Sequence, residues 1–134
     1  MDKECVFCRI LEGEIPSHTV HETGEWIAFL DAEPVSRGHT LVVPKKHVET
    51  IHDAGEMDFM WNAVVKTANA VRDAFEPGGI NVDQNNGEVA GQEVKHLHFH
   101  VTPRYTGDEL EIDYDRSELE DGDEIAERIG SQMT

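Results

Sequence analysis

Residues 96–101 read His-Leu-His-Phe-His-Val, a strict alternation of imidazole and apolar side chains. Period-two alternation marks a half-buried β-strand, because successive side chains leave a strand on opposite faces, about 3.3 Å apart along it. Leu97, Phe99 and Val101 therefore predict a core-facing side. His96, His98 and His100 share the other side, with neighbouring imidazoles roughly 7 Å apart. One such histidine is an ordinary polar residue, and two arise by chance or bind metal. Three with apolar residues strictly between them argue for a built site rather than an idle stripe. Pro103 has no N–H for a ladder and is expected to end the strand or mark an edge.

The other elements follow from pattern and breakers. Residues 5–14 read as a short helical or looped entry closed by Pro16, and residues 18–21, 26–30 and 40–43 as strands. Residues 26–30 are mostly apolar, so that strand is expected to be well buried. Asp53 followed by Glu56 resembles a capping box. Met57, Met60, Trp61, Val64, Ala68, Val71 and Phe75 then recur at three or four residues, an apolar helical stripe expected to pack on a core. Asn62, Lys66, Asn69 and Asp73 fill the opposite side, and Pro77-Gly78-Gly79 stops the helix. Residues 80–84 give a fourth strand and the histidine segment a fifth. A last helix is expected from about 121 to 131, with Ile125 and Ile129 on one face. Strands, a helix and further strands without βαβ repeats imply an α+β fold with a five-stranded antiparallel sheet.

A length of 134 residues fits one domain with a real core. No apolar run approaches the ~18 residues that span a membrane, and the first residues lack an apolar leader, so a soluble cytoplasmic protein is expected. Acidic residues number 28 against 11 basic ones, for a net charge of -17. Such charge argues against a nucleic-acid backbone as partner. It reads either as a heavily solvated surface or as adaptation to molar salt, where screening confines repulsion to ~3 Å; a halophilic source is the expectation. Cys5-Val-Phe-Cys8 leaves a metal pair, free thiols or a redox pair open.

A face of imidazoles next to an amide-rich, glycine-bearing loop (Asn85, Asn86, Gly87, Gly91, Gln92) suits chemistry at phosphorus. Neutral imidazole is a nucleophile near pH 7, and loop N–H groups and side-chain amides stabilise phosphoryl oxygens. No carboxylate pair or nucleophile-elbow serine competes with that reading. The segment matches the pattern His-apolar-His-apolar-His-apolar-apolar, save for Thr102 at its last position. With Cys5-Val-Phe-Cys8-Arg-Ile, Ala28-Phe-Leu-Asp31, Gly38-His-Thr-Leu-Val-Val-Pro-Lys-Lys-His47 and Asn85-Asn-Gly87, it resembles the histidine triad (HIT) family, in its Hint-like nucleotide-binding branch. Together with the acidity, the resemblance suggests a prokaryotic, haloarchaeal source.

The resemblance covers about residues 5–105 and implies a single HIT domain over 1–134, with an acidic tail and helix at 106–134. It implies a homodimer whose sheet runs continuously between subunits. It also implies hydrolysis or transfer at the α-phosphate of a purine nucleotide conjugate: a nucleoside phosphoramidate, an acyl adenylate or a dinucleoside polyphosphate. His98 takes the position of the nucleophile that forms a nucleotidyl-histidine. His100 and His39 would contact the phosphate and help orient His98, and His96 would support it through its backbone carbonyl. Asp31 stands where ribose hydroxyls bind, Phe29 at the base pocket, and Asn85 and Gln92 at phosphate-contacting amides. Glu93 replaces a serine or threonine of several relatives, and an ionised Glu cannot donate to a leaving oxygen. Histidine rather than glutamine at position 100 points away from the nucleotidyl transferase branch. Cys5, Cys8, His47 and His96 match the ligands of zinc-containing relatives, a set suited to tetrahedral structural zinc. The competing expectations are a nucleotide-binding or signalling module with little catalysis, and a zinc-stabilised interaction protein. His18, His21 and His52 read as ordinary polar residues.

Overall fold

In the computed structural model, residues 3–111 and 114–133 are described; the ends of the expected domain and residues 112–113 of its acidic tail lie outside them. Helix α1 (Val6–Leu11) is followed by β1 (Thr19–Glu22), β2 (Trp26–Leu30), β3 (Thr40–Pro44), α2 (Asp58–Phe75), β4 (Gly79–Asp83), β5 (Phe99–Arg104) and α3 (Gly122–Gly130). The five strands form one antiparallel sheet in the order β1-β2-β3-β5-β4, with the expected α+β architecture.

Both faces of the central strands are covered, which is why β2 and β3 are almost continuously apolar. On one face Trp26, Ala28, Val42 and Val101 meet Met60, Ala63, Val64 and Val71 of α2. On the other Ile27, Phe29, Leu41 and Val43 meet Cys5, Phe7 and Cys8 of the N-terminal segment. Among the described residues no helix is long and apolar enough to cross a membrane.

Several sequence expectations shift. The start of α2 is not a capping box at Asp53. Thr50 instead caps a separate 3-10 turn over Ile51–Asp53, its hydroxyl accepting from the His52 N–H at 3.2 Å. Gly55 then takes a left-handed φ of +61° and redirects the chain, so the helix begins at Asp58 with no side-chain cap. The core stripe of α2 is narrower than predicted: Trp61, next to buried Met60, is 73% exposed. The helix ends at Phe75 with Glu76 left-handed and its N–H on the Arg72 carbonyl (2.8 Å), an αL stop. Ile125 and Ile129 of α3 are both exposed.

The histidine strand also begins later than its alternation implies. The β3–β5 ladder runs only from Val42↔Phe99 to Thr40↔Val101. Before Phe99 the chain holds to the segment after β3, with the Leu97 N–H on the Val48 carbonyl at 2.7 Å. Pro103 lies inside β5, paired with Ile80. Its carbonyl accepts from the Ser36 hydroxyl (2.7 Å), on the side where β3 has already ended. A strand residue turns its N and its C=O to the same side, so the missing N–H has no ladder partner to disappoint.

Candidate active site and metal centre

The three imidazoles do project to one side of their segment, and each is fixed by a different partner. His98 is buried, and its Nδ1 lies 2.7 Å from the His96 carbonyl. A carbonyl only accepts, so Nδ1 carries the proton and Nε2 keeps its lone pair. Burial holds the His98 pKa below the ordinary 6.5, against the smaller opposing pull of that hydrogen bond, and the ring is neutral near pH 7.

His100 is set the other way round. The Val35 N–H donates to His39 Nδ1 (3.2 Å), which puts the His39 proton on Nε2. That proton faces His100 Nδ1 at 2.9 Å. His100 Nδ1 is therefore an acceptor, and its own proton sits on Nε2. Burial lowers the pKa of both rings as well. The site thus carries two neutral imidazoles of opposite tautomer, 5.0 Å apart between ring centres. One offers a lone pair and the other an N–H. His39 acts on His100 rather than directly on His98. Gly38 places it: φ is +97°, and a Cβ there would stand 3.0 Å from the Phe75 ring.

His98 and His100 open on a cavity of about 870 Å³. Its lining includes Phe29, Asp31, His39, Asn85 and Glu93 of the expected site, and apolar Val6, Phe7, Ile10, Leu41 and Val94. Asp31 Oδ1 accepts from the Glu33 N–H (2.9 Å) and Oδ2 lies 3.6 Å from His39 Nε2. Asp31, His39 and His100 bring three ligand-type atoms within 4.8 Å of one another, but the proton held between the two rings already accounts for their approach.

Gln92, expected at a phosphate, is spent on the loop instead. Its carbonyl accepts from the Gly87 N–H (2.8 Å) and its amide donates to the carbonyls of Glu49 (2.7 Å) and Val94 (3.0 Å). It fastens the loop that carries Asn85 and Glu93 and is not among the lining residues. His18, read as an ordinary polar residue, does line the cavity. The wall from α1 also went unread: only the tie between Cys5, Cys8 and the histidine segment could have shown that the intervening Phe7 must lie beside it. Phe7 meets the His98 ring edge-on at 5.0 Å and Phe29 at 5.5 Å.

The second cluster lies behind the first. The ligand atoms of Cys5, Cys8, His47 and His96 fall within 4.8 Å of one another, with His47 half-buried and the others buried. His96 Nδ1 is 3.3 Å from Cys5 Sγ, 3.6 Å from Cys8 Sγ and 3.2 Å from His47 Nδ1, and Cys8 Sγ is 3.2 Å from His47 Nδ1. His96 Nε2 lies 2.8 Å from the Pro44 carbonyl and must donate to it. That leaves the Nδ1 lone pair facing the two sulfurs, as a metal ligand with a backbone carbonyl behind it requires. Burial holds the His96 pKa at about 4, so proton competition for Nδ1 is weak near neutrality. Donor types, number and tautomer fit a tetrahedral zinc ion.

Known proteins resemble the chain in sequence and in fold. The family description "HIT domain" matches residues 12–107. "Protein hit" of Bacillus subtilis is 48% identical over 105 residues, covering 77% of this chain and 72% of that protein. "Adenosine 5'-monophosphoramidase HNT1" of Saccharomyces cerevisiae is 41% identical over 104 residues, 78% of this chain and 65% of that protein. The crystal structure of a HIT family member from Bacillus subtilis superposes with a TM-score of 0.89 at 39% identity, covering 98% and 99% of the two chains. A zinc-bound histidine triad family protein from Mycobacterium smegmatis gives 0.69 at 31% identity, covering 96% of each.

Proposed function

Because the chain belongs to the HIT family, we propose that it is a nucleotide hydrolase acting at the α-phosphate of a purine nucleotide conjugate through a nucleotidyl-histidine at His98. The observation that carries the reading is the pair of opposed tautomers. His98 presents a nucleophilic Nε2, and His100 presents an N–H to a phosphoryl oxygen. In the first step the Nε2 lone pair forms a bond to phosphorus, and the bond from phosphorus to the leaving group breaks with its electron pair. The new imidazolium keeps its Nδ1 proton on the His96 carbonyl, which spreads the positive charge. In the second step water attacks phosphorus, the P–N bond to His98 breaks, and the electron pair returns to Nε2 as water's proton leaves to solvent. The half-buried Asp31 carboxylate and Asn85 amide stand in the same cavity, the carboxylate to accept from the ribose hydroxyls and the amide N–H to donate to the phosphate, and Phe29 stands there for the base.

A zinc ion held by Cys5, Cys8, His47 and His96 would be structural, tying α1 to the histidine segment. We also read the chain as a cytoplasmic homodimer. Edge strand β4 and exposed Trp61 leave the backbone and apolar surface that a continuous sheet between subunits needs. The test of the function is His98→Ala. Turnover of adenosine 5′-phosphoramidate should vanish while AMP still binds, and radiolabelled adenylate should be trapped on the wild-type protein alone. Near-normal turnover by the variant would remove His98 as nucleophile.

A further inference from the structure

We propose that Glu93 selects which bond is broken, favouring a phosphoramidate whose leaving group departs as an amine over an ester or anhydride whose leaving group departs as an oxyanion. The inference rests on His98 as the nucleophile and concerns what leaves, not what attacks. Glu93 is exposed at the rim of the cavity and lines it together with Asn85, Val94, His98 and His100. Its carboxylate is close enough to both imidazoles to favour their charged forms.

The charge of the cavity decides what such a group can do. Asp31, Glu33 and Glu93 line it, and among the described lining residues there is no lysine or arginine. A departing phosphate, polyphosphate or phenolate would gain negative charge beside three carboxylates, with no cation to receive it. The ionised Glu93 also has no proton to give it. A departing amine has the opposite needs. The nitrogen first takes a proton from solvent; when His98 Nε2 then bonds to phosphorus, the P–N bond breaks, its electron pair goes to that nitrogen, and the neutral amine leaves. Hydrolysis of the nucleotidyl-histidine later returns one proton from water, so the sum is phosphoramidate plus water to nucleotide plus amine. The protonated nitrogen carries a positive charge that the ground-state phosphoramidate lacks, and a carboxylate at the cavity rim stabilises that charge more than the neutral ground state. A leaving amine with a second ammonium group, such as a diamine, is the fullest match.

The test compares two adenosine 5′-monophosphate conjugates on the full chain: the phosphoramidate of 1,3-diaminopropane and the p-nitrophenyl ester. In Glu93→Gln and Glu93→Ser, kcat/KM for the phosphoramidate should fall roughly three- to tenfold and that for the ester rise by a similar factor, the size expected of one partly screened charge. In the wild type, raising KCl from about 0.1 to about 2 M should shrink the preference for the phosphoramidate. A merely structural role for Glu93 would move both substrates in the same direction. That result, unchanged kinetics in both variants, or a salt-independent preference would overturn the proposal. If the wild type turned over neither substrate, the nucleotide-hydrolase reading would fall first and this inference with it; turnover without the crossing sinks this inference alone.

Discussion

Replacing His39 by phenylalanine tests the tautomer argument where it is most exposed to failure. The ring is not made smaller, so no cavity opens beside Gly38, but the Nε2–H is lost along with the acceptor of the Val35 N–H. That N–H is buried and lies 2.9 Å from His100 Nδ1. Without it Nδ1 of the half-buried His100 has no protein donor, a loss of about 1–3 kcal/mol. His100 can relieve it by moving its own proton to Nδ1, which turns a lone pair toward the phosphoryl oxygen instead of an N–H. At tenfold per ~1.4 kcal/mol the cost is roughly 5- to 150-fold in kcat. The effect belongs to the transition state, where charge on the oxygen grows, so the Kd for AMP should change less. His39→Gln restores an amide N–H at similar reach and should recover most of the loss. The assay is steady-state hydrolysis of adenosine 5′-phosphoramidate beside AMP titration. A phenylalanine variant with wild-type kcat, or a glutamine variant as impaired as phenylalanine, would refute the relay from Val35 through His39 to His100.

The metal centre predicts about one zinc per chain in protein purified without chelator, and Cys8→Ser should lose most of it and melt at least about 5 °C lower; near-zero zinc in the wild type would count against the site. For pH, the His39, His98 and His100 pKa values all lie below 6.5 because burial disfavours the imidazolium. Hydrolysis should therefore hold steady from about pH 8 down through 6.5 and fall only below it. The same shifts make the unfolded chain bind more protons as pH drops below 6.5, so folding stability should be full above 6.5 and decline toward the lower folded-state values. A rate already halved at pH 7 would contradict neutral, buried imidazoles.

The parts of the site that were legible are those set by period and spacing. Alternation at 96–101 puts three imidazoles on one side of a segment, and the spacing of Cys5 and Cys8 admits a metal pair among other readings, which the structure sets beside His47 and His96. Periodicity could not tell a paired strand from an extended segment, so β5 was read three residues too early. Pairing depends on long-range partners: β3 runs on to Pro44 against β2, but its ladder with β5 stops at Val42↔Phe99, and the Leu97 N–H goes to the Val48 carbonyl instead. The same long-range dependence hid the role of Gln92, whose three bonds run to Gly87, Glu49 and Val94. An amide in a polar loop looks the same in sequence whether it faces a ligand or its own backbone. Trp61 was over-read for the converse reason: a helical stripe gives direction, and only the partner sheet gives width.

His96 shows why the two clusters cannot be treated as separate sites. Its ring faces Cys5, Cys8 and His47, while its carbonyl holds the His98 proton. Its Nε2 is fastened to Pro44 at the end of β3, so the ring cannot turn without giving up a buried hydrogen bond. On the other side Phe7, carried between the two cysteines, closes against the His98 ring. The His98 ring is thereby held by its acceptor and by its wall, and both sit on segments that the Cys5, Cys8, His47 and His96 cluster draws together. A metal ion in that position would act on the proposed reaction only through placement. Its loss should lower kcat in step with disorder of α1, and supplying zinc late to chelated protein should restore structure and turnover together.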